Sequence, residues 1–301
     1  MAAPVLDRRA RRPDRAAPGS FGTRSRTLFR PRRVAVGVVV LALLWEAVSL
    51  LVTRGVEHPE FVMPDLVHVA RYGLPGLADY YTGWLGGTPP SAGGERTWPM
   101  GLAALVEHGA ISVGRILVGF VLGLAAGVLL GLLMSASRAV RNAGFGIATL
   151  LRTLPVLALG PLFTLWFGAT SAMSVSFVAF AVGLVMLVAT MTAVANLDLD
   201  VVRYSRSLGL GAFAVQRRVV LPAILPELGG AALVAVPLAW SVLLASEIYG
   251  IQEGLGWMMG KAVQFTLVDR ITVIAVVFVL LTFVMLRAVQ AISARITRWA
   301  E

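Results

Sequence analysis

Six stretches of this chain are apolar over about 20 residues or more, the length a helix needs to cross the hydrocarbon core of a bilayer. They cover residues 34–53, 111–134, 143–167, 172–195, 228–249 and 271–292. Lipid offers no partner for an open backbone, so each stretch must satisfy its own hydrogen bonds as a helix. The chain is therefore predicted to be an all-α integral membrane protein with six transmembrane helices. Only 14% of its residues are charged, against about 25% in a soluble domain, so much of its surface faces something other than water. It has no cysteine, which excludes disulfides and thiolate metal ligands. No metal site is expected.

The charges that exist orient the spans. Residues 1–33 carry ten arginines against Asp7 and Asp14, which is most of the formal net charge of +10. That stretch lacks aromatic interleaving and apolar periodicity and is expected to be a disordered, cytoplasmic basic tail held near anionic membrane lipid; nucleic-acid binding is not expected. The first apolar stretch lies too far along the chain for an ordinary signal peptide and has no small-residue cleavage site, so it is read as a retained span. Positive charge marks cytoplasmic loops. Segment 54–110, with three arginines against six acids, then lies outside, and 135–142, 196–226 and the C-terminal end, all arginine-bearing, lie inside. Both termini are thus predicted to be cytoplasmic, with residues 34–301 forming the transmembrane domain.

Within the second span Gly119, Gly123, Gly127 and Gly131 recur every four residues. That spacing puts them on one helix face, a smooth groove against which another helix, of this chain or of a partner subunit, can pack closely. Pro155 and Pro161 in the third span and Pro237 in the fifth each remove a backbone donor, and such helices are candidates for lining a pathway. Charges inside spans are rare enough to examine one by one. Arg152, just before Pro155, is the best placed to face a pathway, with Glu46 as the alternative partner within the membrane. Arg115 and Glu247 lie near span ends and are expected to snorkel. His58, His68 and His108 share the outer side without ligand-like spacing and are expected to be solvated or interfacial. Trp84, Trp98, Tyr80 and Tyr81 suit a membrane interface, and a short helix after Pro64-Asp65 is expected to lie on the outer surface.

Between the fourth and fifth spans stands "RYSRSLGLGAFAVQRRVVLPAILP" (203–226). Residues 204–208 can form a helical turn ended by Gly209 in the left-handed conformation. Residues 211–220 can form a second short helix. Pro222 and Pro226 suit the first turn of the fifth span. Leu208, Leu210 and Phe213, flanked by Arg206 and Arg217, make an apolar knob in a cytosolic loop, the pattern of a docking surface for a soluble partner.

This segment resembles the signature loop of binding-protein-dependent ABC transporter permeases: Glu-Ala-Ala, three residues, Gly, nine residues, Ile-x-Leu-Pro. Gly209 is followed after nine residues by Val219-Val220-Leu221-Pro222, while Arg203-Tyr204-Ser205 replace Glu-Ala-Ala. "LWEAVS" (44–49), "FVMPDLVHVARYG" (61–73), "RILVGFVLGLAAGVLLGLLM" (115–134), "LRTLPVLALGPLFTLWFG" (151–168) and "ASEIYGIQEGLGWMM" (245–259) are similar to the nitrate, sulfonate and taurine importer subgroup, and residues 73–99 look like an insertion. The resemblance implies a type I importer permease fold in the bacterial inner membrane. It implies a second permease subunit, expected to be an identical copy, an ABC ATPase dimer beneath and an extracytoplasmic substrate-binding protein. It implies that 196–226 is the coupling loop, docking the ATPase through Arg206, Leu208, Gly209, Leu210, Gly211, Phe213, Arg217 and Pro222. Arg152, Pro155, Pro161 and Glu247 are the expected pathway residues, and the solute is expected to be a small anion such as a sulfonate or nitrate, moved by alternating access.

The chain itself is not expected to be an enzyme or to hold a cofactor, with ATP and Mg²⁺ bound by the ATPase partner. Its nearest approach to a P-loop, "GLGWMMGKA" (254–262), fails the G-x-x-x-x-G-K-[ST] spacing. An ATP-independent secondary transporter or channel is the alternative, and a membrane-embedded enzyme a more distant one.

Overall fold

The structure, a computed structural model, describes residues 31–55, 57–58, 61–135, 143–144, 146, 150–151 and 153–300. The basic tail before residue 31, most of 135–142 and Arg152 lie outside the described residues. The helices used below are α1 (Pro31–Thr53), α2 (Trp98–Met134), α3 (Gly160–Phe167), α4 (Ser171–Asn196), α5 (Leu199–Ser207), α6 (Ala212–Val215), α7 (Leu221–Ile248), α8 (Leu255–Gln264) and α9 (Val268–Ile296). Among the described residues, five helices are long and apolar enough to cross a membrane: α1, α2, α4, the continuous helix Ala212–Ile248 and α9.

The third apolar stretch departs from its prediction as one kinked span. Leu154 and Pro155 are not helical, residues Val156–Leu159 form a single 3₁₀ turn, and regular helix resumes with α3. The cause lies in the sequence. Pro155 sits in an extended conformation (φ −70°, ψ 93°) without an N–H to offer, and Pro161 is acceptable only because it falls in the first turn of α3.

The second span is longer than predicted. It starts at Trp98 rather than near residue 111 and runs for 37 residues, about 55 Å at 1.5 Å per residue. The hydrocarbon core is about 30 Å thick, so α2 tilts strongly or projects at its Trp98 end. Thr97, extended, precedes Trp98 and Pro99, and the proline again fits the first turn.

The glycine stripe of α2 packs against α4 of the same chain, which decides between the two partners left open by the sequence. A Cβ on Gly123 would stand 2.5 Å from the Ala179 carbonyl oxygen, one on Gly127 2.5 Å from that of Gly183, and one on Gly131 2.6 Å from Cβ of Thr190. No side chain fits there, so the backbones meet directly and gain dispersion contacts along three turns. α4 is the central helix, with 61% of its apolar window buried, whereas α1 has 6%. α1 is tied through one face only. Trp45 Nε1 donates to the Pro64 carbonyl (3.0 Å), Ser49 Oγ to that of Met63 (3.0 Å), and Glu46 accepts from the Leu66 amide (3.2 Å).

Residues 66–80 do not lie free on a membrane surface. A helical turn capped by Asp65 passes through a π turn at Val69–Gly73 into tight packing on α9 and α2. A Cβ on Gly73 would meet the Asp269 carbonyl at 2.8 Å, and one on Gly76 would meet Arg270 Nε at 2.7 Å. Leu77, Ala78 and Tyr81 are buried, and Tyr81 Oη donates to the Gly86 carbonyl and accepts from Leu85 N, both at 2.8 Å. Residues 73–99 are thus built into the fold, and Tyr81 pins their turn rather than sitting at an interface. Arg270 lies against Asp79 (2.9 Å) and over the Tyr80 ring, while burial pushes the Tyr80 hydroxyl above its ordinary pKa.

Candidate functional site

Two regions stand out, at opposite ends of the bundle. The first is the elbow between α4 and α7. Asp198 begins α5 by accepting from the Asp200 amide (2.9 Å), and acids in the first turn with Arg206 in the last complement the helix dipole. α5 ends in paired C-terminal bonds. The Leu210 amide donates to the Ser205 carbonyl (3.4 Å) and the Gly209 amide to that of Arg206 (3.0 Å). Gly209 holds φ +84°, as the sequence predicts, in a region where a side chain is strained.

Past Gly211 the chain enters α6, and from there it does not break. A π turn at Gln216–Val220 carries α6 directly into α7, so Ala212–Ile248 is one helix. This corrects the expectation that Pro222 opens a new helix. The proline ring would press on the carbonyl four residues back, at Arg218, and the wide turn immediately before it relieves that pressure. Pro226 and Pro237 are likewise internal to α7. α6 and α7 are therefore joined without a break.

The elbow presents apolar side chains outward. Phe213 is 78% exposed and Leu208 66%, Leu210 is half-buried, and Arg206, Gly211 and Arg217 are exposed. Pro222 is half-buried in the helix and sits behind this surface. A Cβ on Gly209 or Gly211 would meet nothing within 4 Å, so those glycines serve conformation and leave the tip open.

The second region is a buried polar clamp at the other end. Glu247, fully buried, accepts from Arg115 Nη1 (3.0 Å), Ser112 Oγ (2.9 Å) and the Gly256 amide (2.8 Å). Arg115, also buried, donates further from Nη1 to the Glu253 carbonyl (2.9 Å) and from Nε to Ser171 Oγ (3.1 Å). Ser112 Oγ in turn accepts from the Leu255 amide (2.9 Å). His108 Nδ1 accepts from the Gly254 amide (3.0 Å), and the other ring nitrogen, which then carries the proton, faces the Tyr80 carbonyl (2.9 Å). These bonds tie α2, α4, α7 and the start of α8 together.

The expectation that Arg115 and Glu247 snorkel to an interface is not met. Each is the other's counter-ion, because a charge withdrawn from solvent needs an opposite charge and full hydrogen bonding. Nor is His108 solvated: it is 1% exposed. Sequence reading missed Ser112 and His108 as clamp residues, although positions 108, 112 and 115 share a face of α2 and that spacing was a usable signal. The glycines of "GLGWMMGKA" have a role here too, since a Cβ on Gly254 would overlap the Glu247 carboxylate and one on Gly256 would stand 2.7 Å from Glu247 Cβ.

Of the remaining predicted pathway residues, Pro155 and Pro161 are exposed at the break before α3. Gly160 packs against the Tyr249 ring and the Phe163 ring lies tilted against Phe177, centroids 4.7 Å apart. The elbow, the break and the clamp are not brought into one site.

Comparison with known proteins gives the family. Residues 119–298, more than half of the chain, match the family described as "Binding-protein-dependent transport system inner membrane component". The taurine transport system permease protein TauC of Escherichia coli (strain K12) is 28% identical over 197 residues, 65% of this chain and 72% of TauC. SsuC of the same organism, named for aliphatic sulfonate transport, is 30% identical over 251 residues, 83% of this chain and 84% of SsuC. Among solved structures, the inward-facing MetNI methionine ABC transporter aligns at TM-score 0.46 and 19% identity, over 64% of this chain and 92% of that one.

Proposed function

Because the chain belongs to the family of binding-protein-dependent transport system inner membrane components, we propose that it is the pathway-forming permease of an ATP-driven importer for a small sulfonate-type anion. It is a multi-pass inner-membrane protein. In this reading six segments cross the membrane, the third of them broken at Pro155, and both termini are cytoplasmic. The arginines Arg203, Arg206, Arg217, Arg218, Arg295 and Arg298, all exposed on the elbow or the end of the chain, support that orientation. The sulfonate assignment rests on the similarity to TauC and SsuC.

The observation that carries the mechanism is the unbroken helix Ala212–Ile248 behind an exposed apolar elbow. An ATPase dimer, binding ATP and Mg²⁺, grips Leu208, Gly209, Leu210 and Phe213 with Arg206, Gly211 and Arg217 around them. When its halves close, the elbow moves and α7 moves with it. Pro222 transmits rather than touches. Closure at one end and opening at the other give alternating access between two copies of the permease, with an extracytoplasmic binding protein delivering the solute. Pro155 and Pro161 line the path, and Glu247 anchors its outer end by holding the clamp.

The test is reconstitution with a candidate ABC ATPase and a candidate substrate-binding protein from the same organism. Taurine uptake into vesicles is expected to require all three proteins and ATP. Phe213→Asp is expected to abolish ATPase co-purification while the permease still inserts. Undiminished uptake without the ATPase would sink the proposal and favour the secondary-transporter or channel reading.

A further inference from the structure

Behind the elbow lies a cleft of about 700 Å³. Its floor is apolar, made by Leu129, Leu132 and Leu133 of α2 with Val194 and Leu197 at the end of α4. Its rim is basic, with Arg203, Arg206 and Arg217 along one side. Of these only Arg203 has an acidic neighbour among the described residues, Asp200 at 3.2 Å, and both members of that pair are well exposed. Gln216 also lines the cleft, and its Oε1 is buried without a hydrogen-bond donor.

We propose that this cleft binds one anionic phospholipid of the cytoplasmic leaflet, of the phosphatidylglycerol class. An acyl chain fills the apolar floor, the phosphodiester meets Arg206 and Arg217, and a headgroup hydroxyl donates to Gln216 Oε1. Three features select this occupant. Uncompensated arginines call for an anion, and their fork of N–H groups suits a phosphate. The unmet acceptor calls for a ligand that also donates, because a buried acceptor left without a donor costs free energy. The floor calls for a long apolar group, and it is continuous with the bilayer, since Leu129 and Leu133 are each 59% exposed on the outward face of α2. A soluble phosphate satisfies only the first of these. The bound lipid then stiffens the junction between α4 and the coupling element, so anionic lipid regulates how tightly ATPase motion reaches α7.

This inference rests on the orientation proposed above, which puts the elbow on the cytoplasmic side. The test uses the full permease–ATPase complex in vesicles of phosphatidylcholine alone and of phosphatidylcholine with phosphatidylglycerol, with bound lipid counted by native mass spectrometry and thermal stability measured in parallel. Wild type is expected to retain phosphatidylglycerol selectively and to gain stability from it. The variant pair Arg206→Gln with Arg217→Gln is expected to retain roughly thirtyfold less, since each juxtamembrane arginine contributes about a fivefold factor toward anionic lipid. Leu132→Trp, which fills the floor without touching the rim, is expected to lose the lipid while keeping the ATPase. Equal retention by wild type and both variants overturns the site, and so does an equal stability gain from inorganic phosphate alone. Loss of the ATPase with unchanged lipid in the arginine variant shows that those arginines serve docking only, and overturns the lipid assignment while sparing the permease reading. Loss of taurine uptake dependence on the ATPase, by contrast, would strike the permease reading and leave lipid retention unaffected.

Discussion

Replacing Glu247 with glutamine tests the clamp most directly. The change is nearly isosteric. The amide oxygen can still accept from the Gly256 amide and Ser112, so geometry is kept while the charge is lost. Arg115 then stands 5% exposed with its neutralising partner gone. What remains to it is the Glu253 carbonyl at 2.9 Å, Ser171 Oγ at 3.1 Å and the Glu253 carboxylate at 3.6 Å, the last on a side chain 58% exposed. Removing one partner of a buried ion pair costs about 3–5 kcal/mol. The residual Glu253 contact puts the expected loss at the low end, about 3 kcal/mol. Replacing both partners, Arg115→Met with Glu247→Leu, removes the stranded charge along with the pair, so the double variant is expected to be more stable than Glu247→Gln alone. Reversible denaturant unfolding in mild detergent, followed by tryptophan fluorescence, measures the series. Trp257, its ring tilted against His108 at 5.3 Å, reports the clamp locally. A Glu247→Gln protein within about 0.5 kcal/mol of wild type, the range of an ordinary surface substitution, would refute the claim that the charge pair holds these helices together.

Two further pairs of substitutions follow from the glycines. Gly127→Ala is expected to cost about 1–3 kcal/mol by overpacking α2 on the α4 backbone, whereas Gly114→Ala, with nothing within 4 Å of its Cβ, is expected to gain up to about 1 kcal/mol from helix propensity; the same unfolding assay ranks them, and equal effects would count against direct backbone packing. Gly209→Ala, also in open space, is expected to destabilise the elbow by roughly 1–2 kcal/mol purely through its left-handed backbone, with Gly209→Asn milder. Hydrogen exchange at the Gly209 and Leu210 amides measures this, and unchanged protection in both variants would show that the bend is set elsewhere.

Sequence alone determined what periodicity and composition can carry. Lipid forbids unpaired backbone, so runs of apolar residues announce helices wherever they occur, and α1, α4, α7 and α9 lie where those runs predict. Glycine at every fourth position announced a close helix contact, and Gly209 announced a left-handed bend, because both follow from the absence of a Cβ at a single position. What these signals share is locality. The partner of the glycine stripe, the pairing of Arg115 with Glu247, and the burial of His108 depend on residues far apart in the chain meeting in space, and no local pattern encodes which of several buried charges finds which. The tertiary structure also decided the opposite fates of the prolines. Pro155 breaks its helix, while Pro222 is absorbed by a π turn, because only the packing around each one sets whether the freed carbonyl can be accommodated.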